Sequence, residues 1–451
     1  MNGDLPNEDS AENKYFYEKI MKIKIGIWLL FLMLGVSLQA QLEFTGFYQN
    51  WLAIRAVEEY DIMLIRNRVR LDGNLYGETL GAYFSLDVRN DGTTDESDFE
   101  ISLREAYVDL YFSNVEFRLG KQQVVWGKAD GVFINDIVNP LDMRMFLLQD
   151  FDNIRMGIPM AKANLYLGNW TLEGLWIPKF EPWQFAKAGS DWEFTLGLPA
   201  DTVWGPWGWE MVEELPYIFH VNDEKLPENS LENSEFGLKL ATFLLGVDIS
   251  LLYLDGYADH PVVEDDSVTM IIDPELGVPT QIDTYITPFY YRSPMYGLNF
   301  SRPVFSTVIR GELGYFAARR FSDLNMQILT SDYFQSMLGL DFTGPWGSSV
   351  SLQAIHSQIM DYQSGMVDDE TEQMATVMLS GSFLRETVIA SLLGLADVNE
   401  DAGLGRLDVS YAWSDALKIS LGGFFLWGNE DTLFGQFSEN DNIYLKIKYS
   451  F

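Results

Sequence analysis

The sequence predicts an all-β protein, a transmembrane antiparallel β-barrel of about 18 strands (16–18), with an inserted loop or short helix in or over the lumen. Three observations predict it. Apolar residues alternate with polar ones instead of gathering in long runs, although they make up 47% of the 451 residues. Short turns and longer acidic loops follow one another along the chain. The last residue is aromatic, Phe451.

Composition narrows the function. Cysteine is absent, which excludes a thiol nucleophile, a disulfide framework and a cysteine zinc cluster. Acidic residues outnumber basic ones 66 to 30, and a formal charge of −36 argues against an electrostatic nucleic-acid binder. The only histidines are His220, His260 and His356, and no G-x-S-x-G, phosphate loop or metal-ligand spacing accompanies them. No catalytic residue, metal or cofactor is therefore expected.

The first element is an address. An apolar run from Ile25 to Val36 follows Lys22 and Lys24 and ends near Ser37-Leu38-Gln39-Ala40. A basic start, a short apolar stretch and a small residue describe a secretory signal peptide cleaved after Ala40. The run is short of the roughly 20 residues a spanning helix needs. The first 20 residues are polar and acidic, which points to Met21 as the true start. Residues 1–40 then form an extension and signal, and 41–451 form one barrel.

The strands come next. Val69, Leu71, Gly73 and Leu75 oppose Arg66, Arg68, Arg70 and Asp72. Leu80, Ala82, Phe84, Leu86 and Val88 oppose Tyr83, Ser85, Asp87 and Arg89. Ala106, Val108, Leu110 and Phe112 oppose Glu105, Tyr107, Asp109 and Tyr111. Similar alternation runs through 160–167, 235–244, 406–413 and 417–427. The final strand is the clearest. Ile443, Leu445, Ile447, Tyr449 and Phe451 share one face, and Tyr444, Lys446, Lys448 and Ser450 share the other. One apolar and one wet face suit a strand between lipid and lumen.

The connections set the architecture. Tight turns are expected near Gly73 to Gly77, Ser113-Asn114, Gly168-Asn169, Leu245-Gly246, Arg302-Pro303, Gly344 to Gly347, Arg385-Glu386 and Ser414-Asp415. Longer stretches lie near 56–61, 90–98, 127–157, 181–233, 255–290, 317–332, 361–372, 397–403 and 428–440. Eight turns and nine loops join 18 strands, and roughly two-thirds of the 66 acidic residues fall in the loops. An even count returns both ends to the periplasm, and about 16–18 strands leave an aqueous lumen.

The predicted wall is charged. Arg66, Arg68 and Arg70 form a basic ladder, and neighbouring strands offer Asp87, Arg89, Arg104, Glu105, Asp109 and Arg118. Such a ladder sets ion selectivity toward anions. The alternative is mutual neutralisation across adjacent strands.

Residues 127–157 are too long and too apolar for a simple external loop. Phe133, Ile134, Ile137, Val138, Phe146 and Leu148 need burial. Asn139-Pro140 is expected to start a short helix running to Phe146, with Asn as cap. The segment is expected to fold into the lumen as a constriction bearing Trp126, Asp130, Asn139, Asp142, Arg144, Asp150, Asp152 and Arg155. The alternative is an outer cap that leaves the pore wide.

The same region carries a resemblance. Arg118-Leu-Gly120-Lys-Gln-Gln123-Val-Val-Trp126-Gly127 is followed by Asn139-Pro140-Leu-Asp142, Asp150-Phe-Asp152-Asn-Ile-Arg155 and Trp170-Thr-Leu-Glu173-Gly-Leu-Trp176. It resembles a Gram-negative outer-membrane barrel family known mainly as a domain of unknown function. It is broadly similar to alginate-export-type porins in the Gln and Trp-Gly leaving a strand. The close match covers about a fifth of the chain. The resemblance implies an 18-stranded export or uptake barrel and supplies no substrate.

Two loops add weaker signals. Trp183, Trp192, Trp204, Trp207 and Trp209 put five of the 13 tryptophans within 27 residues. They form a collar or packed cap, or they grip a ligand at the mouth. Asp397-x-Asn399-x-Asp401 has the spacing of a calcium loop, but Ala402 and Asp408 stand where Gly and Glu belong.

The expected function is a porin-like channel in the bacterial outer membrane, passing small or anionic solutes through a charged, partly plugged lumen. The alternatives are a gated transporter of hydrophobic molecules and a structural or adhesive barrel with acidic loops. Expected partners are outer-membrane lipids, lipopolysaccharide and the barrel-assembly machinery, which would read Tyr449 and Phe451 as an insertion signal. No nucleic acid is expected.

Overall fold

The computed structural model describes residues 41–451 except 58–59, 93–96, 188, 195–203, 206–207, 210–216, 273–278 and 324–326. The expected signal peptide, its cleavage site and the Met21 start lie outside the described residues. Eighteen antiparallel strands form one closed sheet. They are β1 (Gln41–Arg55), β2 (Ile62–Tyr76), β3 (Leu80–Gly92), β4 (Ser97–Tyr111), β5 (Val115–Gln122), β6 (Ile158–Leu167), β7 (Trp170–Ile177), β8 (Glu235–Leu244) and β9 (Val247–Asp255). Then follow β10 (Met295–Val304), β11 (Thr307–Ser322), β12 (Ile328–Thr343), β13 (Ser349–Ile359), β14 (Thr371–Phe383), β15 (Val388–Asp397), β16 (Ala402–Ala412), β17 (Leu417–Trp427) and β18 (Asn442–Ser450). Each pairs with its chain neighbours, and β1 pairs with β18 from Phe47 opposite Ser450 to Arg55 opposite Asn442. Closure leaves no open sheet edge for lipid to meet.

The alternation sorts side chains to the two faces. On β18, Ile443, Leu445, Ile447 and Tyr449 are exposed on the outer surface, while Tyr444 and Lys446 are buried inside. On β2, Val69 is exposed outside, while Arg66 and Arg68 are buried inside. Phe451 extends the closing pair, its N–H and carbonyl bonding to Gly46 at 2.9 and 2.8 Å.

Turns of two to five residues gather at one end, where β1 begins and β18 ends. The opposite end carries three long connections, 123–157, 178–234 and 256–294. The last two contain a small sheet of their own, a hairpin of Val262–Ile272 and Pro279–Phe289 with Tyr217–Val221 alongside.

Four expectations need correction. The turn expected at Gly73 to Gly77 lies instead at 77–79, because Gly73 still pairs with Phe84. The turn expected at Arg302-Pro303 lies instead at Phe305-Ser306, because Pro303 still pairs with Val308. The loop expected over 317–332 is mostly strand, since β11 and β12 run on to Ser322 and from Ile328. A bulge between Phe316 and Arg319, with Ala318 at φ 54°, breaks the alternation there and hides the strand. The inner face is also not polar throughout. Trp51, Leu395, Leu404, Phe424 and Leu426 point inward near the loop end and are buried.

Those inward apolar residues have a partner. Every buried apolar cluster contains residues of 123–157, including Trp126, Ile134, Phe146 and Leu148. Each such side chain contributes about 1.5–3 kcal/mol when fully buried. The segment is thus the core that the wall packs around.

Candidate functional site

The segment leaves β5 after Gln122 and rejoins the wall at Ile158, which pairs directly with Gln122. Gly120 makes the departure possible. It holds φ 135°, and a Cβ there would lie 2.2 Å from the Ala106 carbonyl oxygen. Asn139 then ties the two ends together. Its Nδ2 donates to the carbonyls of Gln122 at 3.1 Å and Met156 at 2.8 Å, and its Oδ1 accepts from the Val124 N–H at 2.6 Å. This overturns the expected helix from Asn139 to Phe146. The Asn139 amide is engaged in the tie and caps nothing, and Leu141 bridges to Arg155 instead. Within the segment the helical turn is Phe151–Ile154.

One side of the segment hangs on β10, β11 and β13. Glu312 is fully buried and accepts the backbone N–H of Ala129 at 2.7 Å and of Asn135 at 3.1 Å, together with that of Lys128. Asn135 donates to Asn299 at 2.6 Å, and Asn299 donates to the Trp126 carbonyl at 2.6 Å. Gln353 donates to the Asp130 carbonyl at 3.0 Å and accepts from its N–H at 3.1 Å. Arg310 pairs with the Asp130 carboxylate. Arg310 is the fourth residue of β11 from the short-turn end, so the segment descends well below the loop end. Trp126 donates to Glu173 on β7 at 2.6 Å, and Lys128 pairs with Asp248 on β9 at 2.7 Å. The Trp126 ring needs Gly237 beside it, where a Cβ would lie 2.8 Å away. Arg155 stays within the segment, pairing with Asp136.

The other side meets β2, β3, β4, β16 and β18. Arg144 clasps Asp142 at 2.8 and 2.7 Å and reaches Glu100 at 3.1 Å, while Arg89 lies 3.9 Å from Asp142. Arg70 donates to Asn153 at 3.0 Å, and Arg104 donates to the Asp152 carbonyl at 2.9 Å. Asp152 therefore contributes its backbone here, and its side chain is exposed. Asp150 pairs with Arg406 and sits 3.1 Å from Lys446. Burial opposes ionisation of Asp150, but the charges of Lys446 and Arg406 outweigh it and hold the carboxyl well below the usual range. Burial likewise opposes ionisation of Asp142, and the Arg144 bonds and charge overcome it, so that carboxyl is lowered too.

The basic ladder is partnered. Arg66 makes a two-pronged pair with Asp91 at 2.6 and 2.7 Å. Arg68 and Arg70 both clasp Asp87, and Arg104 lies 3.8 Å from the same carboxylate. Arg89 bonds Glu100 at 2.6 Å, and Arg118 clasps Asp109 at 2.7 and 2.9 Å. Arg104 and Glu105 both act on the inner side because a bulge opposite Ser85 and Leu86 adds a residue to β4. Glu105 accepts from the N–H of Gln123 at 2.9 Å. Sequence reading overlooked Asn299, Gln353, Glu173 and Arg406 as partners of the segment. The signal available was their place on polar faces of alternating strands.

Toward the loop end the segment is sealed by aromatics. Phe146 packs on Phe434, Phe437 and Phe194, and Trp192 packs on Phe424 and Phe437. Trp183 and Phe185 join this cluster, so that part of the Trp-rich loop is a packed cap. Trp207 lies outside the described residues, as do the side chains of Trp204 and Trp209. The Asp397–Asp401 spacing forms a tight turn instead of a calcium loop. Asp397 accepts from the N–H groups of Asn399 and Glu400, and Asn399 accepts from that of Gln373. No group of three or more metal-ligating residues is assembled among the described residues.

A family described as "protein of unknown function (DUF1302)" matches residues 32–399. No curated protein matches the chain in sequence. Among solved structures, the chain is similar to OccK2 (OpdF) of Pseudomonas aeruginosa, with TM-score 0.50 and 10% identity over 91% of this chain and 97% of that one. It also matches OccD3 (OpdP) of the same organism, with TM-score 0.48 and 11% identity over 91% of each chain. A mutant of the Rh. blastica porin matches with TM-score 0.40 and 10% identity, over 91% of this chain and all of that one. The likeness to OccK2 is one of fold.

Proposed function

We propose that this chain, which belongs to the DUF1302 family of proteins of unknown function, is an outer-membrane channel passing small anionic solutes through a lumen narrowed by residues 123–157. One observation carries the reading. The segment makes polar contacts with inward-facing residues on ten of the wall strands, from Arg70 and Glu100 through Glu173, Asn299 and Glu312 to Gln353, Arg406 and Lys446. A barrel of about 18 strands leaves an aqueous lumen unless something occupies it. Contacts that circle the wall at this depth favour a constriction over an outer cap.

The charge balance favours anions. Arg68, Arg70 and Arg104 share Asp87, and Arg406 and Lys446 share Asp150, so in these two clusters five cations face two carboxylates. Rings and ladders of charge set selectivity in pores. Passive passage calls for neither catalysis nor a cofactor. The apolar outer surface and the aromatic end support residence in the Gram-negative outer membrane, beside lipopolysaccharide. Tyr449 and Phe451 are then the natural signal for the barrel-assembly machinery.

The test is conductance of the purified protein in a planar bilayer under a salt gradient. The expected result is a steady current with an anion-selective reversal potential. A barrel that inserts and stays silent would overturn the reading.

A further inference from the structure

Between the segment and the short-turn end lies a cavity of about 430 Å³. Arg406, Lys418, Lys446 and Lys448 line it against two carboxylates, Asp150 and Asp408. Asp408 is engaged by the hydroxyls of Ser410 at 2.9 Å and Tyr444 at 3.3 Å. Asp150 descends from the segment onto Arg406 and Lys446.

Two cations are left over. Lys418 and Lys448 are direct cross-strand partners on β17 and β18, and both face the cavity. Among the described residues neither has a carboxylate within ion-pair distance. Lys448 lies instead over the Phe47 ring, 4.1 Å from its centre, with Arg70 at 5.3 Å from the same ring. Like charges set directly opposite across a sheet destabilise it. Such a pair beside a polar cavity is matched to an anion that enters from solution.

We propose that this cavity binds a small organic dicarboxylate, and that Asp150 occupies half of the site as a stand-in for it. One solute carboxylate takes Arg406 and Lys446 from Asp150, and the other is held by Lys418 and Lys448. Lys446 and Lys448 are two residues apart on one strand, about 7 Å, a spacing a short dicarboxylate can bridge. Displacing Asp150 removes the carboxylate tie to β16 and β18 and leaves only the Gln149 carbonyl on Arg406 at 3.0 Å, so solute binding loosens the constriction. This rests on the channel reading above and names the solute class for it.

The probe is succinate, followed by calorimetry on the purified protein in detergent and by the change in current it causes in a bilayer. Removing both spare cations in Lys418→Ser/Lys448→Ser weakens succinate binding by about tenfold or more. Asp150→Asn releases Arg406 and Lys446 and strengthens it by about tenfold. Lys418 is exposed, so Lys418→Gln alone carries the test if the double variant does not fold. Equal affinity across wild type and variants, or no binding, overturns the site. Ion current without succinate binding also overturns the site and leaves the channel reading standing. Lysine-dependent binding to a protein that carries no current keeps the site and overturns the open channel.

Discussion

The carboxylate of Glu312 accepts the N–H of Ala129 at 2.7 Å, joining positions 183 residues apart. Asn135 and Lys128 donate to the same carboxylate, so one wall residue gathers three backbone donors of the lumenal segment. A hydrogen bond to a charged group contributes about 1.5–3 kcal/mol, and losing even one makes undocking about tenfold more frequent. Glu312→Ala is therefore expected to raise single-channel conductance and current noise while the barrel still assembles. Unchanged conductance would show that the segment does not narrow the path.

Asp87 makes selectivity testable with opposite signs. It clasps Arg68 and Arg70 and lies 3.8 Å from Arg104. Asp87→Asn leaves three guanidinium groups facing the lumen and is expected to shift permeability toward anions. Arg70→Ser removes one cation and is expected to shift it toward cations. A unit charge several ångströms from the path in a wet pore is worth about a two- to fivefold change in permeability ratio. Reversal potentials in a salt gradient measure both. Shifts of the same sign in the two variants would remove these residues from the selectivity path.

The acid response follows chiefly from Asp150, whose cations lie on the wall, and less from Asp142, which Arg144 of its own segment lowers ahead of Arg89. Their carboxyls lie below the ordinary value of 3.8 when the segment is docked. A group lowered on docking contributes its full stabilisation above its free value and loses it as pH falls through the docked one. Conductance is thus expected to stay constant from pH 8 to about 5 and to rise only below about 4. A rise between pH 7 and 6 would assign control of the segment to other groups.

The barrel was legible because lipid imposes a pattern. Alternation in β2, β3 and β18 named the faces, and Gly168-Asn169 and Leu245-Gly246 named turns, without knowledge of any partner. The segment was legible only as a need for burial, carried by Phe133, Ile134 and Phe146. Its conformation was not, because Asn139 reads locally as a helix cap and acts instead on Gln122 and Met156 across the hairpin mouth. Bulges misled in the same way. One extra residue places Arg104 beside Glu105 on the inner side, and another disguises β11 as loop near Ala318. The tethers at Asn299, Glu312 and Arg406 depend on which strands face the segment, and no local pattern encodes that.

The absence of cysteine allows a direct test of which parts of the segment meet solvent. Asp152→Cys introduces the chain's single thiol at an exposed side chain, next to the segment's contacts with Arg104 and Arg70. Phe146→Cys introduces it at a side chain 1% exposed, beneath Phe434 and Phe437. In detergent, where reagents reach both ends, the thiol at 152 is expected to react readily. An anionic reagent should outpace a cationic one there by about tenfold, because the local field is positive. The thiol at 146 is expected to react far more slowly with either. Equal rates at the two positions would mean that the aromatic packing on Phe146 opens freely in solution and does not hold the segment in its docked position.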